Sequence, residues 1–221
     1  LNCKQTSRSK KLVKNNIMTV HYISEQNSIL NHFLTQLRDV NIQKDSMRFR
    51  KNIERIGEIM AYELSKKLEY KDIAVQTPLG VKHTTTIAED IVLCSILRAG
   101  LALHQGFMNF FDDAENGFVS AYRHHYNNDD DFDILVEYKA TPTLTNKSLI
   151  LIDPMLATGQ SLVAVLNKLL ADHNPTQIHI AVVIAAPEGI KFLEENLPNN
   201  CNLWVASLDE KLNEKDYIIP G

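Results

Sequence analysis

The stretch Leu149-Ile150-Leu151-Ile152-Asp153-Pro154-Met155-Leu156-Ala157-Thr158-Gly159-Gln160-Ser161 decides how the chain is read. Four apolar residues run into an acid. A short loop of small and hydroxylic residues follows, and an amphipathic segment continues over 162–170. The pattern predicts a buried strand, a tight loop and a helix start. Backbone N–H groups in such a loop converge on one spot, where the helix dipole favours negative charge. Thr158 and Ser161 add hydroxyl donors. The loop suits a phosphate monoester, with Asp153 beside it to hold sugar hydroxyls. An ordinary βα turn is the competing reading. A Walker-type loop needs a Lys after its Gly, where Gln160 stands here, and a dinucleotide fingerprint needs more glycines.

On either side of this stretch the chain alternates. Continuous apolar runs at 91–97 and 178–185 have the length of buried strands, and 117–123, 134–139 and 203–208 read as further strands. Helical patterns fall at 100–111, from Ser161 onward and at 188–196. Alternation of apolar strands with helices predicts an α/β fold, with a mostly parallel sheet flanked by helices. Ligands in such sheets sit beyond the carboxyl ends of the strands. The loops after Leu97, Arg123 and Ile152 all fall at such ends. Upstream, 24–39 reads as a helix capped by Ser24, then a turn at 41–45, then a second helix over 46–68. Two helices before any clear strand predict an N-terminal lid or dimer element, separate from the core sheet.

At 221 residues with 44% apolar side chains, the chain can bury a real core. The net charge of −4 offers no general footing for nucleic acid, and no apolar run is long enough to span a membrane. Five of the basic residues (Lys4, Arg8, Lys10, Lys11, Lys14) lie in residues 1–18, which hold no acid, so the rest is more acidic still. That segment reads as a disordered or non-native basic extension, with Met18 as the natural start. Cys3, Cys94 and Cys201 are scattered and odd in number, which fits a reduced, cytoplasmic setting.

Arg98 stands between an apolar strand and Ala99-Gly100, small residues that let backbone approach a ligand. Its planar fork suits phosphate oxygens, although alone it reads as a surface charge. Arg123 alone reads as a partner for Asp129, Asp130 and Asp131. His124 and His125 beside those acids raise the idea of a metal site, but the composition favours a solvated loop, and no metal ligand is assigned. His104 reads as structural, and Trp204 and Tyr138 as packing residues.

The motif Asp-Pro-Met-Leu-Ala-Thr-Gly-x-Ser after an apolar strand resembles the phosphoribosyl-pyrophosphate (PRPP) motif of uracil phosphoribosyltransferases. The other matches run in order: Ile96-Leu97-Arg98-Ala99-Gly100-Leu101, Tyr122-Arg123, Ala185-Ala186-Pro187-Glu188-Gly189, Leu212-Asn213-Glu214 and Tyr217-Ile218-Ile219-Pro220-Gly221. Together they cover residues 20–221. Pro154 takes the place of the second acid that purine and orotate relatives carry. The resemblance implies a type I phosphoribosyltransferase fold over 19–221 as a single domain, with a β-flap near 124–131. It implies that Asp153 holds the ribose hydroxyls of PRPP, that Ala157, Thr158, Gly159, Gln160 and Ser161 wrap the 5-phosphate, and that Pro154, Met155 and Leu156 complete the PRPP loop. Arg98 and Arg123 would contact the pyrophosphate, in a loop at Arg98-Ala99 that often holds a cis non-proline peptide. Arg98, Arg123 and Asp153 are thus the candidate catalytic residues, and Ile218 presents backbone groups to uracil. The implied cofactor is Mg2+ carried on PRPP. Homodimers or higher homo-oligomers are usual in the family. Some members are activated by GTP, for which no residue here can be assigned.

This sequence departs from the pattern twice. Gln160 replaces a common glycine, and would crowd the phosphate if its side chain turned inward. The family also continues after Pro-Gly with Leu-Gly-Asp-Ala-Gly-Asp, so a continuation beyond Gly221 is expected. Two other readings stay open: a non-catalytic regulator on this fold that binds UMP or RNA, and a catalytically dead subunit.

Overall fold

The computed structural model describes residues 18–125, 132–198 and 200–221. The predicted basic extension before Met18 and the acidic tract 129–131 lie outside the described residues. The first element is a strand that the apolar pattern did not mark: β1 (Thr19–Tyr22). A short 3-10 turn at Ile23–Glu25 separates it from α1 (Ile29–Arg38). The predicted helix thus begins five residues late, and its cap is Ser28 instead of Ser24. Ser28 accepts from the Leu30 N–H while the Asn31 side chain accepts from the Ser28 N–H, a reciprocal cap. Asp45 caps α2 (Ser46–Ser65) by accepting from the Met47 and Arg48 N–H groups.

A hairpin not foreseen in the sequence follows, β2 (Tyr70–Thr77) and β3 (Gly80–Ile87), paired antiparallel. Nearly all its residues are exposed on both faces, so no alternation betrayed it. Then come β4 (Ile91–Leu97), α3 (Leu101–Met108), β5 (Glu115–His125), β6 (Phe132–Ala140) and β7 (Ser148–Ile152). The two-residue β8 (Met155–Leu156) precedes α4 (Gln160–Leu170), β9 (Gln177–Ala185), α5 (Pro187–Asn196) and β10 (Cys201–Leu208). The chain closes on a small hairpin, β11 (Lys211–Leu212) and β12 (Ile218–Ile219).

The main sheet runs β1-β10-β9-β7-β4-β5-β6, with β8 added beside β9. Every pairing in it is parallel except β5 with β6, so the central strands end at one rim. β4, β7 and β9 are apolar on both faces because both faces are covered. On one face Cys94, Leu149, Leu151, Ile180 and Val182 meet Leu166 and Leu169 of α4 and Leu193 of α5. On the other, Leu93, Ile150, Ile152 and Val183 meet Ile56, Met60 and Leu64 of α2 and Phe107 of α3. Each such side chain contributes about 1.5–3 kcal/mol by leaving water. The N-terminal helices are therefore not a separate lid. The stripe Ile53, Ile56, Met60 and Leu64 is buried, and α2 is a structural layer of the core.

Candidate active site

Three segments reach the carboxyl rim side by side. Ser95 of β4 pairs with Ile152 of β7, and Leu97 pairs with Ser120 of β5. Arg98 therefore leaves β4 next to the point where Asp153 leaves β7. The Arg98 side chain is exposed, and it makes no salt bridge among the described residues. The cis peptide bond is Leu97–Arg98, within the expected loop and one bond ahead of Arg98-Ala99. The loop folds down hard onto the sheet. A Cβ on Gly100 would come within 2.4 Å of Ser95 Oγ and 2.9 Å of the Ile152 carbonyl oxygen, so no other residue fits there. The backbone of Arg123 lies in β5, three residues beyond Ser120 and paired with Ile134. The side chains of Arg123, His124 and His125 lie outside what the structure describes.

The loop after β7 is stitched to β9. Met155 and Leu156 pair with Ile184 and Ala185 as β8. The Pro154 carbonyl accepts from the Val183 and Ile184 N–H groups at 2.9 and 3.1 Å, and Leu156 accepts from Ala186 at 2.9 Å. The chain then turns through Gly159, whose φ of +84° is one that side chains rarely adopt, and enters α4. No side chain caps α4, so its first N–H groups remain available. They border a hollow of about 110 Å³ lined by Asp153, Leu156, Ala157, Thr158, Gly159, Ser161 and Leu162. Gln160 is exposed and absent from that lining, so this substitution for glycine does not crowd the hollow.

Asp153 sits at the mouth of this hollow, half-buried. Its N–H donates to the Ala181 carbonyl at 3.2 Å. Burial pushes its carboxyl up to about 7, and a hydrogen bond from the Met155 N–H works against that shift. Among the described residues, no cluster of three or more His, Cys, Asp or Glu side chains could hold a metal ion. Among the described residues, Asp153 is the only carboxylate lining the hollow. One carboxylate and no cluster of protein ligands fit a divalent cation that would be held mainly by phosphate oxygens and water.

The segment carrying Ile218 is joined to the same rim through α5. The Leu212 N–H donates to Glu188 Oε1 at 3.1 Å, and a Cβ on Gly189, the next residue, would lie 2.2 Å from the Ala157 carbonyl oxygen. Ile218 itself is buried in β12, and Ile219–Pro220 is cis. Beside the hollow, Ala99, Pro154, Met155, Pro220 and Gly221 share one larger, mostly apolar cavity of about 540 Å³ with residues of α1 and α2. The neighbours of Arg98, the loop after β7 and the end of the last hairpin thus converge. His104 is buried and its Nε2 lies 2.8 Å from Asn116 Oδ1, consistent with a structural role. Trp204 is buried and donates to His179 Nδ1.

Sequence reasoning missed Arg38. This last residue of α1 grips buried Asp209 and the Gly221 carbonyl. A lone Arg at a helix end looks like a surface charge, and its partner lies 171 residues away.

Comparison with known proteins agrees with this geometry. A uracil phosphoribosyltransferase of Porphyromonas gingivalis is 47% identical over 204 residues, covering 92% of this chain and 94% of that protein. One from Thermococcus gammatolerans is 36% identical over 90% of this chain and 88% of its own length. The solved structure of the AQ2163 protein from Aquifex aeolicus superposes with a TM-score of 0.81 at 31% identity, covering 92% of this chain and 93% of that one. A family model described as uracil phosphoribosyltransferase matches residues 23–221, and with the loop, the rim and the closing hairpin all in place, the chain belongs to that family.

Proposed function

We propose that this protein transfers the phosphoribosyl group of PRPP to uracil, giving UMP and pyrophosphate. The observation that carries the reading is the uncapped start of α4, which opens onto the hollow beside Asp153 on the rim from which Arg98 projects. A 5-phosphate in that hollow accepts from loop N–H groups and from Thr158 and Ser161. The Asp153 carboxylate accepts from the ribose hydroxyls, and Pro154, Met155 and Leu156 hold the loop in place. Arg98 and, by the family resemblance, Arg123 are assigned to the diphosphate, whose negative charge grows as the bond to the anomeric carbon breaks. Bond breaking runs ahead of attack and leaves an oxocarbenium-like sugar, as in glycoside chemistry. The segment at Ile218 holds the uracil ring so that N1 faces that carbon.

Magnesium is assigned to PRPP, not to a cage of protein ligands, and when bound it neutralises diphosphate charge. The same reading carries a homo-oligomer acting in the cytoplasm; no described helix is long and apolar enough to cross a membrane. The test is uracil-dependent release of pyrophosphate from PRPP, with cytosine, orotate and hypoxanthine as competitors. Release driven by uracil alone supports the proposal. No release with any base, in protein that still binds PRPP, overturns it.

A further inference from the structure

The C-terminal end of the site is held by an ion pair that the proposed chemistry does not use. Arg38 Nη1 donates to Asp209 Oδ2 at 3.0 Å and to the Gly221 carbonyl at 2.9 Å. Arg38 Nη2 donates to Asp209 Oδ1 and, at 3.2 Å, to Ser207 Oγ. The Gly221 N–H in turn donates to Asp209 Oδ2 at 3.0 Å. Both backbone polar groups of Gly221 are thus held by one guanidinium–carboxylate pair. The Asp209 side chain is 3% exposed and that of Arg38 27%, so water competes weakly for the pair.

The same pair is tied to the phosphate loop through a shared anchor. The Asp209 N–H donates to the Ala185 carbonyl at 2.9 Å, and Ala185 is the residue with which Leu156 pairs in β8. The phosphate loop and the hairpin that carries Ile218 therefore both hang from the end of β9. Transfer between a base and a sugar needs these two subsites at a fixed spacing, because a small misplacement of reacting atoms costs much of the rate.

We infer that Arg38 and Asp209 are positioning residues that hold the base-recognition hairpin in register with the phosphate loop. This rests on the uracil reading above for its consequence, though not for its geometry. A buried ion pair is a poor source of net stability but an effective source of specific geometry. Arg is required for its fork: four acceptor atoms on three residues are bridged at fixed angles, which a Lys ammonium cannot reproduce.

Arg38→Lys keeps the charge opposite Asp209 and avoids leaving that carboxylate unpaired. The variant should fold, bind Mg-PRPP alone in titration calorimetry within about twofold of wild type, and show a uracil KM raised by roughly tenfold or more. An unchanged uracil KM overturns the proposal. So does an equal weakening of PRPP binding, which marks general loosening. Amide exchange provides a readout that does not depend on activity. Faster exchange confined to residues 209–221 in Arg38→Lys supports the latch even if the wild type proves inactive with uracil, an outcome that would sink only the functional reading. Unchanged exchange in that segment overturns the latch itself.

Discussion

Gly100 lies directly against the carbonyl oxygen of Ile152, closer than any Cβ would allow. Through this contact the loop bearing Arg98 is seated on the strand that delivers Asp153. The atoms that a Cβ would strike are Ser95 Oγ and the backbone oxygens of Ile96 and Ile152, and neither backbone oxygen can swing away. Gly100→Ala is expected to destabilise the fold by about 1–3 kcal/mol and to lower turnover well beyond what that loss explains. Thermal denaturation together with PRPP-dependent turnover of the folded fraction checks this. Normal turnover in the variant would mean that the seating of the loop is irrelevant.

Arg98 itself is exposed and unpaired with any acid among the described residues, so its removal should leave the fold intact. On the proposed chemistry, Arg98→Ala is expected to lower turnover by about 10²–10⁴, since it removes the donor assigned to charge that grows in the transition state. The midpoint of unfolding should stay within about 0.5 kcal/mol of wild type. Steady-state kinetics beside urea denaturation separates the two effects.

Asp153 links pH to stability in an unusual direction. Burial raises its carboxyl to about 7 from an ordinary 3.8, so the folded protein holds this proton more tightly than the unfolded chain. From about pH 4 to pH 7 the group takes stability away as pH rises, and above pH 7 its full cost is present. Asp153→Asn should then be more stable than wild type at pH 8, by on the order of 1–4 kcal/mol, with the gap closing toward pH 4. Urea midpoints of both proteins across that range test this, and a less stable Asn variant at pH 8 would contradict it.

The same group predicts a kinetic profile. On the proposed chemistry Asp153 accepts from the ribose hydroxyls, and the ionised carboxylate accepts about twice as strongly as the neutral acid, with no proton of its own to place. The value of kcat/KM for PRPP, which reports the free enzyme, should fall as pH drops through about 7. Asp153→Asn should be slow and lack that inflection.

Gly189 offers a test at a distance from the phosphate. A Cβ there would sit 2.2 Å from the Ala157 carbonyl oxygen and press on the cradle from behind. Gly189→Ala is expected to raise the KM for PRPP by roughly tenfold while uracil binding changes less. Equal shifts in both constants would point to general disorder instead.

The loop between β7 and α4 and the parallel strands were legible because their signals are local: a continuous apolar run, an acid, then small residues. The cap of α1 is also a local signal, but Ser24 with Asn27 has the same spacing as Ser28 with Asn31, and taking Ser24 as the cap places the helix start too far upstream, although the apolar stripe begins only at Ile29. β1 escaped because Thr-Val-His-Tyr is short and pairs with β10 from the far end of the chain. The β2–β3 hairpin escaped because a strand exposed on both faces shows no period of two. The burial of α2 against the sheet, the seating of Gly100 and the grip of Arg38 on Asp209 depend on contacts that no sequence window contains.

The two residues of β8 make the phosphate cradle part of the sheet, so the cradle takes shape when the chain folds and has little left to organise when a ligand arrives. Capture should then be limited by encounter and charge, without waiting for a rare conformer. The amide of Ala186, which donates to the Leu156 carbonyl, should be as well protected from exchange in the free protein as with PRPP bound.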